Sequence, residues 1–108
     1  MKEIRAYIQP FMLHGVTQAL LEIPRFPGMS VSDCSGFGGD KEKKDQSFTP
    51  FLEKKRIEIF APEELVEQIF TTIMKYANTH HDGTGKVFVL DVIESGFIKS
   101  GERALYQK

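Results

Sequence analysis

Two hydrophobic periodicities alternate along this chain, and their order is the feature that most limits how it can fold. Apolar residues recur at every second position in residues 2–9, 28–38 and 51–61, which is the spacing of strands with a buried face. Residues 86–93 form a short apolar run that also predicts a strand. A segment with helical spacing follows the first of these strands and another follows the third. The order βαββαβ predicts a ferredoxin-like α+β sandwich, in which two helices cover one face of a four-stranded antiparallel sheet.

The two helical segments differ in the strength of their signals. Pro62 suits the start of the second helix, and Glu63 and Glu64 follow it at the positive end of the helix dipole. The stripe of the second helix consists of Leu65, Val66, Ile69, Phe70, Ile73, Met74 and Ala77. The weaker stripe of the first helix consists of Leu13, Val16, Leu20 and Ile23, and Pro24 and Pro27 end it.

The last predicted strand has apolar residues on both faces. One face carries Val87, Val89 and Ile93, and the other carries Phe88, Leu90 and Val92. Because the helices can cover only one face of the sheet, a second subunit is expected to cover the other. Residues 94–108 show no clear pattern, which predicts an irregular C-terminal segment.

Composition indicates an ordinary globular protein of one domain, residues 1–108. Its net charge of −1 gives no electrostatic footprint for nucleic acid or an anionic membrane. No apolar stretch approaches the roughly 20 residues that span a bilayer, and the N-terminus lacks the apolar core of a signal peptide. The single cysteine suits a reducing compartment. A cytoplasmic protein without membrane insertion is therefore expected.

Candidate catalytic groups are sparse. Cys34 lies in the predicted second strand, where a free thiol is usually a small buried hydrophobe rather than a nucleophile. No paired carboxylates and no nucleophile–base pattern can be placed in one cleft. These observations predict a protein that is not an enzyme.

A glycine-rich turn, DGTGK, precedes the last strand. Gly83 and Gly85 would allow backbone N–H groups to line a concave anion site, and Lys86 would add a positive charge. Glycines between a helix and a strand are also ordinary turn residues. A phosphate site and a simple turn therefore both remain open.

The residues before this turn are candidates for metal binding. His80, His81 and Asp82 carry suitable ligand atoms, but zinc usually needs three or four ligands. Adjacent histidines rarely reach one ion, so exposed loop histidines are the simpler interpretation. A metal-responsive trimer of related architecture is the alternative function.

Several segments, in this order and spacing, resemble the PII signal-transduction family, the trimeric nitrogen regulatory proteins. They cover nearly the whole chain and read MKEIRAYIQPF, GMSVSDCSGFG, FLEKKRIEIFAPEELVEQIF, GTGKVFVLDV and FIKSGE. The resemblance implies a homotrimer that buries one sheet face at its centre. It also implies a nucleotide sensor that binds ATP or ADP, with or without magnesium. The B-loop of one subunit (79–86) and the C-terminal segment of its neighbour (94–108) would hold the nucleotide.

By this resemblance, the nucleotide-binding positions are Ser30, Gly36, Gly38, Gly83, Thr84, Gly85, Lys86 and Lys99. Thr84 stands where the family usually has aspartate. Lys99 replaces the second of two phosphate-binding arginines, and Phe97 replaces the first. Lysine keeps the positive charge but lacks the planar fork of arginine. The resemblance therefore implies a nucleotide site with altered selectivity.

Residues 38–51 resemble a shortened T-loop, the segment through which the family contacts its partners. The loop contains no tyrosine, so uridylylation is not expected there. Asp40 replaces a glutamine that helps to bind magnesium and 2-oxoglutarate, and its carboxylate would repel a dicarboxylate. An unidentified regulated protein or transporter would contact Lys41, Lys43, Lys44 and Phe48.

Three segments of the chain most resemble a PII-like subgroup that accompanies heavy-metal efflux transporters. These segments are YIQPF, FPGMSVSD and GKVFVLDV. The similarity gives the metal alternative its specific form, a PII-like or CutA-like trimer linked to heavy-metal tolerance or efflux.

Overall fold

The computed structural model describes residues 1–37 and 51–106, and its elements follow the predicted order. The first half contains β1 (Lys2–Ile8), a short 3₁₀ turn (Pro10–Met12), α1 (Leu13–Leu21) and β2 (Ser30–Gly36). The second half contains β3 (Leu52–Ala61), α2 (Glu63–Tyr76) and β4 (Gly85–Asp91). No helix in the described ranges is long and apolar enough to span a membrane.

The four strands form one antiparallel sheet in the order β2-β3-β1-β4. β1 lies inside the sheet and pairs with both β3 and β4, so that Ile4 is opposite Ile59 on one side and Val89 on the other. β2 pairs with the outer side of β3. This topology confirms the predicted ferredoxin-like α+β fold.

The core lies between the helices and one face of the sheet. Alternate residues of β1 and β3 are fully buried there, and α2 contributes Leu65, Ile69 and Ile73, followed by Ala77 at its C-cap. The predicted α2 stripe is too wide, because the Met74 side chain is 54% exposed. The fully packed row has a spacing of four residues, and Val66 packs partly buried beside it.

The opposite side of the sheet, here called the open face, combines aromatic and charged residues. The Tyr7 and Phe88 rings lie 6.4 Å apart, and Phe60 and Phe88 are about half exposed. Next to them, Arg5 donates two hydrogen bonds of 2.9 Å to Glu3, which raise the pKa of the arginine. On the open face, β4 therefore has the expected apolar character, while β1 and β3 contribute charged residues.

The prediction of an irregular C-terminal segment is wrong. Residues 94–106 contain a short hairpin of β5 (Glu94–Gly96) and β6 (Arg103–Leu105). Its turn includes Gly101 at φ +79°, and the Ser95 and Tyr106 hydroxyls lie 3.0 Å apart. Strands of three residues are too short to display a period in the sequence, which is why the pattern missed them.

Candidate functional site

Side-chain hydrogen bonds hold the turn between α2 and β4. The Asn78 side chain accepts a 2.8 Å hydrogen bond from the N–H of His80, which has the left-handed φ of 63°. The Thr84 hydroxyl donates to the carbonyl of His81 at 2.5 Å and lies 2.7 Å from the Thr79 hydroxyl. Thr84 therefore serves to close the turn.

Both glycines of this turn have backbone conformations that disfavour other residues. Gly83 has φ +78° and Gly85 has φ +125°. A Cβ atom on Gly85 would lie 1.9 Å from the carbonyl oxygen of Tyr7, so the turn and β1 can approach this closely only with glycine there. At Gly85, the first residue of β4, the turn therefore packs directly against the backbone of β1.

Two side chains from other elements bind the carbonyl oxygen of Gly83. Gln9 donates from Nε2 at 2.7 Å, and Lys54 donates from Nζ at 2.5 Å. Ile8 is paired with Lys55, so continuation of that register brings Gln9 and Lys54 to adjacent positions. Neither residue was predicted from the sequence, because their proximity to the turn follows from strand register rather than from any local motif.

The two lysines predicted to bind phosphate lie towards opposite ends of β4, Lys86 near its start and Lys99 beyond its last residue. Lys86 is the second residue of the strand, opposite Tyr7 on the open face. Lys99 is in the turn of the hairpin that follows the other end, where Phe97 is 71% exposed. Seven strand residues span roughly 20 Å. The structure therefore does not bring the two lysines together within one protomer.

Two more of the predicted nucleotide-binding residues are the end residues of β2. Ser30 begins the strand opposite Glu58, and Gly36 ends it opposite Leu52. Just beyond this last pair, the Phe37 and Phe51 rings make an edge-to-face contact at 4.9 Å. Gly38, Asp40 and the predicted partner-binding residues Lys41, Lys43, Lys44 and Phe48 lie outside the described residues.

The candidate metal ligands are exposed residues of the same turn. In residues 1–37 and 51–106, no three histidine, cysteine, aspartate or glutamate side chains are grouped so that they could hold a metal ion. Metal binding by His80, His81 and Asp82 stays a prediction. Cys34 lies in β2 as expected, half-buried and opposite Lys54.

Comparison with known proteins agrees with this arrangement. The family model of nitrogen regulatory protein P-II matches residues 1–102. The chain is 38% identical to nitrogen regulatory protein P-II 1 of Escherichia coli K12 over 107 residues, covering 94% of this chain and 95% of that protein. It is 36% identical to nitrogen regulatory protein P-II of Bradyrhizobium diazoefficiens, covering 97% of each. The chain therefore belongs to the nitrogen regulatory protein P-II family.

Proposed function

We propose that this protein is a trimeric P-II signalling protein that binds an adenine nucleotide between subunits and thereby regulates a partner protein, without catalysing a reaction. The observation that carries the proposal is the turn before Lys86. Its two glycines have positive φ angles, its carbonyl at Gly83 has two donors, and a lysine follows directly. A rigid turn beside a cation is suited to binding phosphate.

A site between subunits is supported by the separation of Lys86 from Lys99. Since Lys86 lies at the start of β4 and Lys99 lies beyond its end, a nucleotide held by both needs the hairpin of a neighbouring protomer. The hairpin has the surface for such a contact, because Ile98 is fully exposed and Phe97 and Leu105 are about 70% exposed. Apolar side chains so exposed on a monomer are typical of an interface.

A trimer would also cover the open face of the sheet. Phe60 and Phe88 expose about half of their surface there, while Glu3 is already buried by its ion pair with Arg5. Aromatic residues beside satisfied charges suit an interface between identical subunits. This arrangement explains why the sheet has apolar residues on the face that the helices leave uncovered.

The regulated partner is proposed to contact segment 38–51 through Lys41, Lys43, Lys44 and Phe48. The segment joins β2 to β3, and β3 also carries Lys54, which binds the Gly83 turn. One strand thus connects the partner-binding segment to the nucleotide turn. A nucleotide would shift the conformation of the segment only if its affinity differed between the two conformations.

Calorimetric titration of the purified protein with ATP and with ADP, each with magnesium, tests this proposal. We expect micromolar binding at one site per chain, with the trimer confirmed in the same buffer by light scattering. GTP serves as the control for recognition of the base and is expected to bind much more weakly. Absence of binding for both adenine nucleotides, in calorimetry and in equilibrium dialysis, would overturn the proposal.

A further inference from the structure

We propose that Lys54 and Gln9 are positioning residues for the nucleotide-binding turn: they hold the carbonyl of Gly83 and thereby set nucleotide affinity without contacting the nucleotide. The inference deepens the proposed function and rests on it. Lys54 Nζ and Gln9 Nε2 lie 2.5 and 2.7 Å from the Gly83 oxygen. Both donors come from outside the turn, so their contacts tie it to the sheet.

The two donor residues are attached to paired strands of the sheet. Gln9 directly follows β1, and Lys54 belongs to β3. These strands are paired along their length up to Ile8 and Lys55. The sheet therefore fixes the backbone from which both side chains reach the Gly83 carbonyl.

The Gly83 carbonyl matters because it shares a planar peptide unit with the N–H of Thr84. Whatever fixes the direction of the carbonyl also fixes the direction of that N–H, which points the opposite way. Gly83 is at φ +78° and, as a glycine, can rotate more freely than other residues. Without the two donors, this peptide unit could turn and misdirect an amide that a phosphate would meet.

Other contacts fix the rest of the turn. The Thr84 side chain is held by the carbonyl of His81, and Gly85 lies against the backbone of Tyr7. The peptide between Gly83 and Thr84 is thus the unit that Lys54 and Gln9 control. A bond from an ammonium group to a carbonyl is stronger than one between neutral groups, so Lys54 is expected to contribute more than Gln9.

The test compares Lys54→Met and Gln9→Met with the unmodified protein. Lys54→Met is expected to weaken ADP and ATP binding about tenfold, and Gln9→Met about threefold. The ratio of the two nucleotide affinities should stay unchanged in both variants, because neither side chain is proposed to touch phosphate. Lys54→Arg should restore most of the affinity, and Lys75→Met, which removes an exposed lysine of α2, should have no effect.

A second readout needs no nucleotide. Amide hydrogen exchange by NMR should show a faster or shifted Thr84 N–H in both methionine variants, with the core amides of β1 unchanged. Gln9→Met is the decisive variant because it changes no charge, so a weaker nucleotide affinity in it would not come from a lost attraction to phosphate.

Two results would overturn the inference. One is normal affinity in Gln9→Met together with a larger loss for ATP than for ADP in Lys54→Met, which would indicate that Lys54 contacts phosphate directly. The other is an unchanged Thr84 amide in both variants. If the unmodified protein bound no nucleotide, the proposed function would fail, whereas the amide measurement would still decide whether Lys54 and Gln9 position the turn.

Discussion

Replacing Gly85 with alanine is expected to lower the free energy of unfolding by about 3 kcal/mol or more, among the largest effects of a single substitution. The new Cβ would lie 1.9 Å from the carbonyl oxygen of Tyr7, which is backbone in the middle of the sheet and cannot move aside cheaply. The φ of +125° adds strain for any residue with a side chain. Thermal unfolding followed by circular dichroism should show a midpoint lower by more than about 10 °C.

Gly83→Ala is the matched control for this substitution. Gly83 also has a positive φ, but its Cβ would meet only the end of the Gln9 side chain at 3.7 Å. Gly83→Ala should lower the free energy of unfolding by about 1 kcal/mol, from backbone strain alone. Equal losses in the two variants would contradict the claim that the close approach to Tyr7 is what requires glycine at residue 85.

Replacing both Lys86 and Lys99 with alanine is expected to weaken ATP binding more than 100-fold, by about 3 kcal/mol. Each lysine is proposed to bind phosphate, and charge-assisted hydrogen bonds are the stronger kind. Neither residue is buried, so the fold should be retained, which circular dichroism checks. Lys75→Ala removes an equal charge from α2 and should leave the affinity unchanged. Unchanged affinity in the double variant would refute the proposed pocket.

The fold could be predicted because its elements carry long periodic signals. Ile4, Ile57 and Ile69 are each part of a pattern that extends through a strand or helix, and each is fully buried. Such patterns depend on the sequence alone, since they reflect which face of an element meets the core. The C-terminal hairpin lacks this advantage, because its three-residue strands depend on Ser95, Tyr106 and the turn at Gly101.

The candidate site could be predicted only in part. The glycines of the turn are recognisable in the sequence, and the structure gives a backbone reason for both. Lys54 and Gln9 could not be found in this way, because they are 45 residues apart in the chain and become neighbours only through the pairing of β1 with β3. The separation of Lys86 and Lys99 likewise follows from where β4 begins and ends.

Mixing two single variants tests the central claim, nucleotide binding between subunits, most directly. Lys86→Ala and Lys99→Ala proteins are unfolded and refolded together, and ATP binding is measured before and after by calorimetry. Each variant alone should bind weakly. At equal mixing, about a quarter of the interfaces in a cyclic trimer should pair an intact Lys86 with an intact Lys99 from its neighbour, so sites of unmodified affinity should appear. If the mixed trimers bind no better than the separate variants, the two lysines do not meet across a subunit interface, and the account is contradicted.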